Sequence, residues 1–325
     1  MTGYGMVPEG STGPEMSAVL VTPDTYETIR RTVAVLAAQT GAERLELVVV
    51  APPSAPIDRH DPDLRRLGWV TVVRDADLAS SSSAKAAGIR AATAPIVVLM
   101  EDHAFPAPGW SAALIARFDG PWVAVGPTVR NAVPRSLIAW ADHLIGYGAW
   151  TEGVPGGEVE FLPGHNSAYR TDVLLEYGDE LEAMLDAETV LHWDLRARGH
   201  RLYLETGALI DHMGFGRLRP WVRAQFDNGR VFATRRIEGW PRYRRIAYAL
   251  ASPAIPPIRL FRILRTVGRR GWPRVSNIRF LPVLAFGLVI DGAGQFAAGL
   301  TGMGRSMDRL VALHYHRERH APEVS

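Results

Sequence analysis

The chain has 325 residues, 47% hydrophobic and 22% charged, with no cysteine. That composition excludes a disordered tail, a disulfide framework and a thiol nucleophile, and it leaves His, Asp and Glu as the side chains to consider for metal ligation. The formal charge of +2 is uneven: residues 1–213 carry −12, residues 214–280 carry +14 through sixteen arginines against Asp227 and Glu238, and residues 281–325 balance.

Met1 to Pro14 holds no basic residue and no apolar core, so no secretory signal is expected. Residues 1–16, rich in Gly and Pro, read as a flexible leader, with Met16 as an alternative start. The next hundred residues alternate β-branched runs with helical stretches, the pattern of βαβ units. Strands are expected at Val19 to Thr22, Leu45 to Val50, Trp69 to Arg74 and Pro95 to Met100, with helices at Asp24 to Gln39 and Ser81 to Ala92. Asp24 is expected to cap the first helix, with Glu27 completing a capping box. The continuous runs LELVVV and PIVVLM fit strands buried on both faces of a parallel sheet. Beyond them come a strand at Trp122 to Gly126, a helix at Ser136 to Gly146, a strand ending near Phe161 to Leu162, a helix at Asp186 to Arg198 and a strand at His200 to Glu205. The composition changes at Gly214, where a domain boundary is expected.

In an open doubly wound sheet, ligands bind beyond the carboxyl ends of the strands. PIVVLM runs there into Glu101-Asp102-His103. Two readings fit the triplet: a solvated loop with a helix cap, or an oxygen-rich site for Mg²⁺ or Mn²⁺ bridging a diphosphate. An imidazole ligand favours manganese or a later metal over magnesium.

Five segments in order resemble the family-2 glycosyltransferases with the GT-A fold. They are AVLVTPDTYETIRRTVAVLAAQT, SSAKAAGIRAATAPIVVLMEDHAFPAPGW, FLPGHNSAYRTDVL, ETVLHWDLRARGHRLYL and the terminal IDH, spanning roughly Ser17 to His212. The resemblance implies an α/β domain over residues 17–213, a Rossmann-like and mostly parallel sheet flanked by helices. It implies an inverting hexosyltransferase that moves a sugar from a nucleotide sugar to an acceptor hydroxyl. It puts Glu101-Asp102-His103 in the place of the family's Asp-x-Asp motif, as an Asp-x-His-like variant holding metal and ribose-diphosphate, and His212 in the place of a distant metal ligand. Lys85, the single lysine, falls where the family places a cation facing the phosphates, and a solvated lysine is the competing reading. Gly164, His165 and Asn166 fall where a loop borders donor sugar and acceptor, or form a structural turn. Glu188 aligns with the family's Glu of a Glu-Asp pair and is the candidate base, with Asp186 in reserve; Thr189 replaces the Asp. Both acids also suit a helix amino terminus. Ala51-Pro52-Pro53-Ser54 replaces the acidic loop that contacts the nucleotide base. These two departures motivate the alternative of a catalytically silent relative that binds a membrane partner or glycolipid.

Residues 214–279 read as a basic helical collar in which arginines are interleaved with Trp221, Trp240, Tyr243, Tyr248 and Trp272. Such a collar suits nucleic acid or an anionic bilayer. The neighbouring apolar sequence decides against nucleic acid. Residues 280–304 hold Asp291 as the one ionisable group and are long enough to cross a membrane or lie in it, while Ile246 to Ile258 is long enough only to lie in or re-enter the interface. Residues 305–325 form a tail. The expectation is a membrane-associated transferase on the cytoplasmic face of the cell membrane, acting on a glycan or lipid-linked, membrane-proximal acceptor.

Overall fold

The computed structural model describes residues 13–58, 60–74, 80–268, 279–315 and 317–320. Most of the expected leader, the collar's residues 269–278 with Trp272, and the last five residues lie outside them. The chain divides into two compact units, Met1–Arg130 with Pro155–Asp211, and Asn131–Val154 with His212–Ser325. The cut differs from a linear boundary at Gly214 by assigning residues 131–154 to the second unit.

The first unit is built on a sheet of β1 (Met16–Val21), β2 (Leu45–Ala51), β3 (Trp69–Arg74), β4 (Ile96–Met100), β5 (Ala104–Pro106), β6 (Trp122–Asn131), β7 (Gly157–Val159), β8 (Ala168–Arg170) and β9 (Arg201–His212). The order is β3-β2-β1-β4-β8-β6-β9-β5, with β7 beside β9, so β6 and β9 each end one residue past the first unit's bounds. β1 pairs in parallel with β2 and β4, and β2 with β3, while β8 runs antiparallel to both β4 and β6, and β7 to β9. The sheet is therefore mixed, parallel from β3 through β4 and antiparallel where β8 and β7 pair. Its parallel half is the apolar-run half, with Val19 opposite Val48 on one side and Leu99 on the other.

Against one face of this sheet pack α1 (Arg30–Ala37) and α3 (Trp110–Arg117), burying Leu20, Ile29, Leu36, Leu47, Val98 and Trp110 in one core, while α2 (Ser81–Ala91) lies against Val19 and Val50, which point the other way. The expected capping box does not form. Asp24 instead accepts from the Thr25 N–H (2.6 Å) and the Thr28 hydroxyl (2.7 Å), and Glu27 pairs with Arg30, so a 3₁₀ turn at Tyr26–Thr28 precedes α1. The Ser80 hydroxyl caps α2 by accepting from the Ser83 N–H at 3.0 Å. A Cβ at Gly88 would sit 2.4 Å from Val19 Cγ1 and 3.0 Å from Val50 Cγ2. That missing methyl lets α2 lie close on β1 and β2 and sets the depth of Lys85, one turn earlier.

Between β6 and β7 the chain forms α4 (Leu137–Tyr147), and between β8 and β9 it forms α5 (Thr171–Leu175), α6 (Leu181–Leu185) and α7 (Glu188–Ala197). The second unit contains α4 with α8 (Leu218–Arg236), α9 (Arg242–Ala251), α10 (Ile255–Gly268), α11 (Phe280–Thr301) and α12 (Ser306–His314). Trp140, Leu144, Trp221, Leu284 and Leu288 share its core, which explains why residues 131–154 belong there: α4 buries its apolar face on α8 and α11. α8 and α11 cross at glycine. A Cβ at Gly229 would lie 2.1 Å from the Asp291 carbonyl oxygen, and one at Gly294 would lie 2.0 Å from that of Phe226.

The stretch Ile246 to Ile258 is not one apolar segment. It ends α9, makes a 3₁₀ turn at Ser252–Ala254 and opens α10, with Pro256 and Pro257 in the first turn where a missing N–H breaks no helical bond. In α11, Asp291 is buried and accepts from Arg259 Nη1 and Gln295 Nε2, each at 2.7 Å. Its opposite face is apolar and exposed through Phe286, Val289, Phe296 and Leu300, a spacing that keeps all four on one stripe. α11 is long and apolar enough to cross a membrane, and half of its most apolar window is buried within the protein.

Candidate active site

The end of β4 delivers the first group of functional side chains. Glu101 and Asp102 follow Met100, and His103 sits just before the short β5, 2% exposed. The Thr32 hydroxyl on α1 ties down this corner by donating to the Asp102 carbonyl at 2.7 Å. His103 Nδ1 lies 2.6 Å from Asp102 Oδ1, which turns Nε2 towards Glu101, 3.5 Å from its Oε1. The other Glu101 oxygen accepts from Asn166 Nδ2 at 2.8 Å.

β9 carries His212 as its last residue, so the strand fixes where this imidazole lies. Glu101, His103 and His212 each offer one ligand atom, and these atoms lie within 4.8 Å of one another. One carboxylate and two imidazoles suit a divalent ion of the manganese-to-zinc range better than magnesium. Asp102 stands behind that group, in the place of a carboxylate that holds a ligating imidazole by its other nitrogen. Its Oδ2 is buried with no hydrogen-bond partner among the described residues, so the corner has a further acceptor oxygen within it. The residues present therefore fit a divalent metal.

A 3₁₀ turn at Gly164–Asn166 delivers the second group. The turn exists because the Asn166 and Ser167 N–H groups donate to Pro163 and Gly164, and the Leu99 N–H, donating to Ser167 at 3.1 Å, pins it to β4. Asn166 faces Glu101 from this turn, and its neighbour His165 faces Glu188. His165 Nδ1 lies 2.5 Å from Glu188 Oε1, and Lys85 Nζ lies 2.9 Å from the same nitrogen and 3.3 Å from the same oxygen. Glu188 occupies the first turn of α7, where an acid is favoured by the helix dipole. Burial pushes its carboxyl up, but the charges of His165 and Lys85 with the His165 hydrogen bond outweigh that and hold it at about 2. Gly164 is the residue that lets the turn approach, because a Cβ there would sit 2.1 Å from Glu188 Cβ and 2.6 Å from Cγ.

Asp186 ends α6, half-buried, and Thr189 is half-buried in the first turn of α7. The sequence presents Lys85, His165 and Glu188 as three separate functions, whereas the fold joins them. Residues 80 and 103 positions apart leave no periodic signal of such contact.

His192, one turn beyond Glu188, was also not singled out. Its Nδ1 accepts from the Leu162 N–H at 3.3 Å and its Nε2 meets the Tyr169 hydroxyl at 2.9 Å. Burial depresses this imidazole from the ordinary 6.5 to about 4, and burial likewise depresses His143 in the second unit to about 3. A base harder to protonate in the folded state takes up its proton on unfolding. Stability is therefore full above about 6.5 and falls as pH drops towards 4. The urea midpoint is expected to decrease from pH 7 to pH 4.5, and His192→Phe to lessen that decrease.

Residues 17–178 match the family described as Glycosyl transferase family 2. The chain carries a glycosyltransferase family 2 domain. No curated protein matches the chain. Among solved structures, the chain is similar to a mannosyltransferase from Pyrobaculum calidifontis in complex with GDP-Man and Mn²⁺, at 16% identity and a TM-score of 0.47, covering 97% of this chain and 91% of that one. It is also similar to GalNAc-T7 with UDP, GalNAc and Mn²⁺, at 14% identity and a TM-score of 0.48, over 94% of this chain and 61% of that one. A third similar structure is S. aureus TarS 1-349, at 14% identity, a TM-score of 0.45 and 94% and 87% coverage. The expectation of a family-2 glycosyltransferase domain stands over residues 17–178.

Proposed function

We propose that this family-2 domain transfers a hexosyl unit from a nucleotide-diphosphate-sugar donor to an acceptor hydroxyl with inversion, with Mn²⁺ or Mg²⁺ as cofactor. The observation that carries the reading is the convergence of Glu101, His103 and His212 at strand ends. A divalent ion held there supplies positive charge for the leaving diphosphate. Glu101 is oriented by Asn166 and His103 by Asp102, so the donor side is held by residues that are themselves positioned. The acceptor proton falls to the Lys85, His165 and Glu188 group, the other charged cluster gathered by the same turn. In-line attack needs a base on the face of the sugar opposite the leaving group, and the second cluster is assigned that role.

The test is incubation of the purified full chain with GDP-mannose, UDP-N-acetylgalactosamine and a wider set of sugar nucleotides, with Mn²⁺ or Mg²⁺. Metal-dependent donor binding with hydrolysis or transfer is the expected result. No binding and no turnover with any of them overturns the reading.

The acceptor in this proposal is lipid-linked or membrane-proximal and the enzyme works at the cytoplasmic face. Support comes from the second unit: the apolar stripe of α11, exposed Tyr243, Ile246 and Leu250 on α9, exposed Ile258 and Phe261 on α10, and exposed Arg242, Arg244, Arg262 and Arg265 among them. Apolar side chains flanked by arginine suit anionic headgroups over an acyl layer, and arginine beside an apolar segment favours the cytoplasmic side. Co-sedimentation with phosphatidylglycerol vesicles is expected, weakened at least about 10-fold by Phe286→Asp with Leu300→Asp, since each loses roughly 1.5–3 kcal/mol of apolar burial. Protein that stays in the supernatant at low salt overturns this part.

A further inference from the structure

We infer that His165, rather than Glu188, takes the proton from the acceptor hydroxyl, and that Glu188 and Lys85 are positioning residues that fix the ring for that task. The inference rests on the transferase reading above and assigns its base.

The three groups of the cluster differ in what they can reach. Glu188 is enclosed: its side chain is 8% exposed, its Oε1 is shared by His165 and Lys85, and the Gly164 backbone lies against its Cβ and Cγ. Lys85, 6% exposed, holds an ammonium against that same oxygen and supplies no basic lone pair. His165 is the accessible member, 39% exposed, on a turn whose next residue holds Glu101 of the metal side.

The position of the proton follows from the contact between His165 Nδ1 and Glu188 Oε1. A carboxylate only accepts, so a 2.5 Å contact to it requires the proton on Nδ1. With Nδ1 protonated, the basic lone pair of the neutral ring is on Nε2, at the opposite edge. Lys85 Nζ lies 2.9 Å from the same Nδ1, a contact that a protonated Nδ1 cannot accept, so in this tautomer the ammonium donates to the Glu188 oxygen at 3.3 Å and sets its charge beside that carboxylate. The other titratable groups around the cluster are His192 on α7, which feels both His165 and Glu188, and Tyr169 on β8, which feels Glu188; both are fully buried and away from solvent.

The step balances. The acceptor O–H proton moves to His165 Nε2 as its oxygen forms the bond to the anomeric carbon. The bond from that carbon to the diphosphate oxygen breaks, and its electron pair leaves with the nucleoside diphosphate. Glu188 stabilises the imidazolium, which then returns its proton to water.

The full-length enzyme is assayed for hydrolysis of GDP-mannose and UDP-N-acetylgalactosamine with Mn²⁺, water being the acceptor. His165→Gln is expected to lower kcat by about 10²–10⁴-fold with donor KM and Mn²⁺-dependent UDP or GDP binding unchanged. Glu188→Gln is expected to lower kcat less and to move the acid-side fall of the pH–rate profile to lower pH, because the imidazolium loses its anion. The NMR titration of the His165 ring should move in the same direction. Wild-type turnover in His165→Gln, or a Glu188→Gln loss larger than the His165→Gln loss, overturns the inference. If His165→Gln fails to fold, the Glu188→Gln profile and titration decide. If the wild-type protein turns over no donor, the transferase reading fails by itself, and a His165 titration unmoved by Glu188→Gln overturns the pairing.

Discussion

A His103→Ala variant loses Mn²⁺-dependent binding of UDP and GDP by at least about 100-fold, because changing even the outer partners of a metal ligand costs 10–100-fold. The loss is steep for a local reason. His103 is 2% exposed and held by Asp102 at 2.6 Å, so alanine removes a ligand atom and also leaves the Asp102 carboxylate without its buried partner. Asp102→Asn is expected to fall between, by about 10–100-fold, since an amide still meets the ring but no longer fixes its proton. Isothermal titration of nucleotide with and without Mn²⁺ measures both. Unchanged Mn²⁺ dependence in His103→Ala counts against the metal group.

Gly164→Ala produces the second large effect. The new methyl would meet Glu188 Cβ at 2.1 Å, Cγ at 2.6 Å and Cδ at 3.2 Å, and these are the near atoms of a buried residue fixed in the first turn of α7, not the end of a mobile chain. Overpacking of this kind costs about 1–3 kcal/mol. The turn must shift, and it carries His165 on one side and Asn166 on the other, so kcat and Mn²⁺-dependent nucleotide binding are expected to fall together. Gly146→Ala in α4 is the contrast, since nothing lies within 4 Å of its Cβ position. A methyl there is expected to leave activity intact and to stabilise by about 0.5–1 kcal/mol. Urea unfolding and steady-state kinetics on both variants make the check, and unimpaired kinetics in Gly164→Ala would remove the close approach from the argument.

The parallel half of the sheet was legible because buried parallel strands are uninterrupted apolar runs, and β3 was read to the residue. β8 was not legible: three residues, Ala168–Arg170, give no period, and what makes them a strand is the flanking by β4 and β6. β9 was read as ending near Glu205 but continues to His212. Thr206 and Gly207 look like a turn, yet the Gly207 N–H donates to Glu205 Oε1 at 2.7 Å and the strand carries on. Glu46 escaped notice in LELVVV because its solvation is assembled from afar. It is 1% exposed and accepts from Ser17 Oγ (2.5 Å), Thr71 Oγ1 (2.8 Å) and Thr93 N (2.8 Å). In the site, the triplet at the end of β4 was visible as a sequence feature, since strand-end chemistry is local. The sharing of Glu188 by Lys85 and His165 was not, since only the folded chain brings α2, the 3₁₀ turn and α7 together.

That three-residue turn makes the Glu101 corner and the Glu188 cluster one mechanical unit. Asn166 holds the Glu101 carboxylate and His165 the Glu188 carboxylate, with a single peptide unit between them. A displacement of that peptide is transmitted to both contacts, whereas a side-chain change such as His165→Gln alters one of them and leaves the peptide in place.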